Sequence, residues 1–253
     1  MFEQELYETV LVLSAAVNVA LAGGLMLENV FYRDYEVYRR SRMLTALTMF
    51  FFGVGFFLHY LLEWRSVWPA GASALSVTYF HVGGVLFSWS HTSLLNPAYL
   101  TKKIVRRDLI ILIIGVATYW QNAVAGIAMA GFSIFFVHAA WLSYVLYGTL
   151  LRVRRQLHEL PMTDSNSRWW TEETRASVFS FQASIQVSCY LIVLFGLGSV
   201  AVTAFFSTEQ WPFTMLLCLG MVVFCYIFYE LNQYGMVVEA GTNATEDVVK
   251  LQN

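Results

Sequence analysis

The sequence predicts an all-α polytopic membrane protein, a seven-transmembrane-helix bundle with its N-terminus outside and its C-terminus in the cytoplasm. Three observations predict it. The chain of 253 residues is 58% hydrophobic and only 13% charged, where a soluble domain carries roughly 25% charged residues. Seven apolar runs punctuate it, and a helix that crosses a bilayer needs about 20 apolar residues at about 1.5 Å rise each. The basic residues are also segregated: alternating crossings place 14 of the 15 lysines and arginines on one side, which the positive-inside rule makes the cytoplasm.

The first run, residues 7–31, follows an opening that holds Glu3, Glu5 and Glu8 and no basic residue. A cleavable signal has a positive start, so this run reads as an anchor, with nothing to hold its N-terminus in the cytoplasm. Arg33, Arg39, Arg40 and Arg42 come after it. Between the second run (43–62) and the third (74–95) lies Arg65, the one basic residue assigned to the outer side. Lys102, Lys103, Arg106 and Arg107 come after the third. The fourth run (108–120) is short and the fifth (123–151) is long, and the break between them rests on Tyr119-Trp120-Gln121-Asn122. Without that break the span count falls and the later topology inverts. Arg152, Arg154, Arg155, Arg168 and Arg175 precede or open the sixth run (178–206), and Lys250 lies beyond the seventh (212–238).

Smaller signals agree. Pro69, Pro97, Pro161 and Pro212 fall at loops or span ends, where a missing N–H costs least. Trp64, Trp68, Trp120 and Trp211 would form an outer aromatic belt and Trp169 and Trp170 an inner one, leaving Trp89 and Trp141 to pack within spans. Residues 1–241 thus form one transmembrane domain. The tail, 242–253, looks like a helix start, capped by Asn243 with Glu246 three residues on.

The chemistry is sparse. No nucleotide-binding, zinc-protease or nucleophile-elbow motif occurs, so no enzyme activity is expected, and no basic surface suggests nucleic acid. Cys189, Cys218 and Cys225 lie in apolar runs without metal-ligand spacing and are expected to be small buried hydrophobes. The sequon at Asn243 falls on the cytoplasmic side and is discounted. Lys102, Lys103 and Lys250 all lie outside the spans, which excludes a retinal Schiff base. Gly23-Gly24 and Gly83-Gly84 lie within spans, where small residues permit close helix approach.

Polar residues inside a membrane are costly and mark candidate sites. In the third run Thr78, His81, Ser88 and Thr92 recur at offsets of 3, 7 and 4, one helix face. With His138 they are the candidate ligand-binding residues, against the plainer reading of interhelical hydrogen bonds. His59 and His81 lie toward the outer side and His91 and His138 in the inner half; two such pairs would suit two b-type haems, although no cofactor is predicted. Gln182 and Gln186 in the sixth run, and Glu230 and Asn232 in the seventh, are candidates for an inner network that couples the bundle to whatever lies beyond the seventh helix. Asn18 reads as interhelical glue, and Glu28 as the partner of a loop arginine.

In architecture, an outside N-terminus, seven helices, short loops and a helical cytoplasmic exit, the chain resembles the seven-transmembrane sensor regions of bacterial signalling proteins. In that class such regions precede histidine kinase or AraC-type output domains. The resemblance implies a plasma (inner) membrane sensor or receptor that binds a small ligand in the bundle and signals to a cytoplasmic output domain or partner, in contact with the lipid bilayer and with the option of a homodimer. The alternatives are a b-type haem electron carrier and a small-molecule or ion transporter. The latter would normally show internal repeats or broken helices, and neither is found.

Overall fold

A computed structural model describes residues 2–126, 132–159, 172–206 and 209–235. Among them every regular element is helical: α1 (Phe2–Glu28), a 3-10 turn (Asn29–Tyr32), α2 (Glu36–Leu62), the single turn α3 (Trp64–Val67), α4 (Pro69–Leu95), α5 (Lys102–Val124), α6 (Phe132–Glu159), α7 (Glu172–Phe205) and α8 (Trp211–Gly235). The expected inner tryptophans, Trp169 and Trp170, and the tail helix after residue 241 lie outside the described residues.

Among the described residues, six helices are long and apolar enough to cross a membrane: α1, α2, α4, α6, α7 and α8. This is the make-up of a multi-pass membrane protein. Large apolar side chains on their outer faces, among them Leu27, Val137, Met215 and Val222, are mostly exposed, as lipid contact requires. Helix α5 is long enough but falls short in hydropathy, because Lys102, Lys103, Arg106, Arg107 and Asp108 fill its first turns and Gln121 and Asn122 its last.

Two clusters mark the ends of the bundle. At one, Arg42 is fully buried and bonds Glu28 at 2.5 Å, Asn232 at 2.6 Å and the Tyr38 hydroxyl at 3.0 Å, tying the end of α1 and the start of α2 to the end of α8. At the other, Arg65 on α3 lies 3.6 Å over the Phe213 ring at the start of α8 and reaches Ser76 on α4. Burial lowers the Arg65 guanidinium pKa, and Tyr7 on α1 opposes that shift. The Glu28 pairing agrees with the sequence reading, but its partner belongs to α2 rather than to a loop.

Helix α4 is the central post. It carries no charged side chain, is rich in Gly, Ala and Ser, and is buried over nearly all of its length from Gly71 to Leu95. Its hydroxyls make this tolerable: Ser90 meets Ser41 at 2.7 Å and Thr45 at 2.8 Å on α2, and Thr78 and Ser93 turn back onto their own backbone. Such bonds meet the demand that buried polar groups find partners.

The break between the fourth and fifth runs falls later than Tyr119–Asn122, and the two runs are separate helices. Helix α5 runs through these residues to Val124 and ends at Gly126, whose φ is 75°. The reason is tertiary. Trp120 packs against Trp64 and Trp68, with ring centroids 5.8 and 6.2 Å away, and Tyr119 bonds into α4, so both stay in helix. These contacts also carry α5 along the bundle. It starts near Pro97, whose carbonyl accepts from Arg40 at the Arg42 end, and finishes against the tryptophans of the Arg65 end. Of the three cysteines only Cys189 is buried; Cys218 and Cys225 face outward from α8, since a lipid-facing surface accepts a thiol as readily as a core does.

Candidate functional site

Helices α4, α5 and α6 each contribute to one chain of hydrogen bonds. Asp108 on α5 is fully buried and accepts from Trp89 Nε1–H at 2.8 Å and from the adjacent Arg107 at 2.7 and 2.8 Å. Such donors stabilise a carboxylate, which leaves it only acceptor capacity. His138 Nε2 on α6 faces it at 3.5 Å, outside hydrogen-bond geometry, and the carboxylate's charge favours the N–H at that nitrogen. His138 Nδ1 is then the acceptor for His81 Nε2–H on α4, 2.8 Å away. His81 Nδ1 in turn accepts from the Tyr119 hydroxyl on α5 at 2.9 Å. One proton per ring satisfies the hydrogen bonds from Tyr119 through His81 to His138, and the step to Asp108 is a 3.5 Å approach outside hydrogen-bond geometry; the tautomers are assigned by this logic. Near the Asp108 end, Tyr99 has its phenol pKa raised by burial and then by the Asp108 charge, with the Arg107 guanidinium acting against both.

Beside this relay lies a cavity of about 630 Å³, within the roughly 300–1,000 Å³ of small-molecule pockets. Helix α4 contributes Phe80, His81, Gly84, Phe87 and Ser88 to its wall, α6 the face from Phe135 to Tyr147, and α7 the stretch from Cys189 to Leu197, with Phe52 of α2 behind. Most of these side chains are apolar or aromatic. Ser88 is almost wholly buried and its hydroxyl has no hydrogen-bond partner among the described residues.

Of the candidate ligand-binding residues, the structure brings His81 and His138 into direct contact and sets His81 and Ser88 in the cavity wall. Thr78 does not line it and bonds Ala74. Thr92 is buried with no hydroxyl partner among the described residues and lies off the cavity. The four histidines do not form two facing pairs. His81 and His138 touch nitrogen to nitrogen rather than facing each other across a gap. His59 bonds Ser76 at 3.0 Å near Arg65, and His91 stacks on Phe87 at 4.0 Å toward the other end. That arrangement provides no bis-imidazole haem cradle.

The coupling candidates divide. Glu230 is buried, accepts from Ser188 on α7 and lies 4.0 Å from His91 on α4, while Asn232 belongs to the Arg42 cluster. Gln186 accepts from Arg154 at 3.2 Å and donates to Tyr190 at 3.2 Å. Gln182 is buried on α7. Sequence reasoning missed Arg42, Asp108 and Tyr119. Their signal was present as a charge or hydroxyl at the edge of an apolar run, but edges look the same whether a residue faces water or a neighbouring helix.

No protein-family model matches the chain, and no curated protein or solved structure matches it significantly.

Proposed function

We propose that this chain is a seven-crossing sensor or receptor of the plasma (inner) membrane, N-terminus outside, that binds a small ligand in the bundle and passes the change to a cytoplasmic partner or output domain through α8. In this reading α5 also crosses, as the fourth of seven. The observation that carries the proposal is the cavity between α4, α6 and α7, roomy, apolar and edged by His81 and the unpartnered Ser88.

The wall is connected to the Arg42 end. Ser188 of α7, next to the cavity residue Cys189, donates to Glu230 of α8, and two residues later Asn232 accepts from Arg42. A ligand that spreads α4 from α7 therefore bears on α8, whose last turns belong to the Arg42 cluster. To act, it must bind the two packings unequally.

Gly84 tests this without knowledge of the ligand. It lines the cavity, and a Cβ built on it meets nothing within 4 Å, so Gly84→Leu fills the space in place of a ligand. With spin labels at the exposed positions Arg39 and Gln233, pulsed electron resonance should show a shifted distance distribution between α2 and α8 in the filled protein. An unchanged distribution in a folded Gly84→Leu protein would count against signal transmission.

A further inference from the structure

We propose that the cavity takes a single-chain anionic amphiphile of the long-chain fatty acid class, drawn sideways from the bilayer between α6 and α7, with its carboxylate toward the Arg42 end. This deepens the receptor reading and rests on it.

The entrance is visible in the exposure of the wall. Tyr144 of α6 and Leu194 and Leu197 of α7 line the cavity, yet they are 72%, 64% and 49% exposed on the flank of the bundle. The same side chains border the cavity and the surface where lipid chains lie. A ligand entering there needs no path through water. The bilayer is its reservoir.

The shape suits one chain. Along α6 the wall runs from Phe135 to Tyr147, about 18 Å at 1.5 Å per residue. The cavity's 630 Å³ lies within the roughly 300–1,000 Å³ of pockets that take one small molecule. That length and volume suit one acyl chain with its head.

The polarity fixes its direction. Toward the Arg65 end the wall is phenyl and aliphatic, with Phe80, Phe135 and Phe195. Toward the Arg42 end stand Ser88, Tyr147 and Tyr190, and behind them the Tyr190 hydroxyl meets Tyr147 and accepts from Gln186, which is bonded to Arg154. Ser88 lacks an acceptor among the described residues, and Arg154, off the wall but joined through Gln186 to the wall residue Tyr190, supplies the positive charge beyond this end. A carboxylate satisfies the first and complements the second, while the tail fills the apolar end.

The test uses the full chain in lipid nanodiscs with cis-parinaric acid, a fluorescent polyene fatty acid, and oleate as competitor. The expected result is saturable binding that oleate displaces and that the parinaric methyl ester reproduces only weakly. Gly84→Leu should abolish it, and Arg154→Gln should weaken it about tenfold, the effect of removing one charge-assisted hydrogen bond. Size-exclusion elution and circular dichroism confirm that each variant is folded. No saturable binding, equal binding by Gly84→Leu, or equal affinity of acid and ester would overturn the proposal. The spin-label distances stand apart from this, because they ask whether a filled cavity moves α8 whatever fills it.

Discussion

Asp108 is an acid in a position where one more leucine would have lengthened the apolar run, and the relay depends on it. Its carboxylate, held by Trp89 and Arg107, faces His138 at 3.5 Å and so favours one set of proton positions along His138, His81 and Tyr119. Residues that act as one network are non-additive when removed, and interhelical hydrogen bonds in membranes average about 0.6 kcal/mol with a maximum of about 1.7. His81→Phe and His138→Phe should therefore each destabilise the protein, and the double variant should cost less than their sum by about 1 kcal/mol. Reversible unfolding in mixed micelles measures the cycle; strictly additive losses would show that the two imidazoles do not work together. The histidines were legible in the sequence as polar residues in apolar runs. Asp108 and Tyr119 were not, because spacing along one helix says nothing of what a second helix brings opposite.

Helix α4 shows what the element scale adds. Its charge-free composition marked it as a span, and the polar stripe marked a face, but the use of its two adjacent glycines could not be read from their order. A Cβ on Gly83 would run into the Phe52 ring of α2, whereas one on Gly84 projects into the open cavity. Gly83 is there for close packing and Gly84 leaves room. Alanine in place of glycine favours a helix by roughly 0.5–1 kcal/mol, so Gly84→Ala should be neutral or mildly stabilising. Gly83→Ala should destabilise by about 1–3 kcal/mol, the usual cost of overpacking. Thermal denaturation of the two single variants separates these outcomes, and a Gly83→Ala protein as stable as Gly84→Ala would contradict the packing described. Helix ends were the less legible part. The break between the fourth and fifth runs falls after Tyr119–Asn122 because the rings of Trp64, Trp68 and His81 hold Tyr119 and Trp120 in helix.

At the scale of the whole molecule, composition made membrane residence legible, and the placement of arginines and lysines made an orientation legible. The structure adds the ends: Arg42, Glu28 and Asn232 gather at one, and Arg65, Phe213 and the three clustered tryptophans at the other. What decides the account is α5, which is too polar at its termini to be counted by hydropathy yet extends from one end to the other. If it crosses, the crossings number seven and the cytoplasmic face carries nearly all of the positive charge, as the positive-inside rule requires.

The most direct measurement is cysteine accessibility in intact cells, on a background with Cys189, Cys218 and Cys225 replaced. Single cysteines at the exposed positions Ser66, Ala98 and Gln121 are challenged with a membrane-impermeant maleimide. With seven crossings, Ser66→Cys and Gln121→Cys react from outside, while Ala98→Cys reacts only after permeabilisation. Protection of Gln121→Cys together with Ala98→Cys would show that α5 does not cross, and labelling of Ala98→Cys alone would invert the bundle.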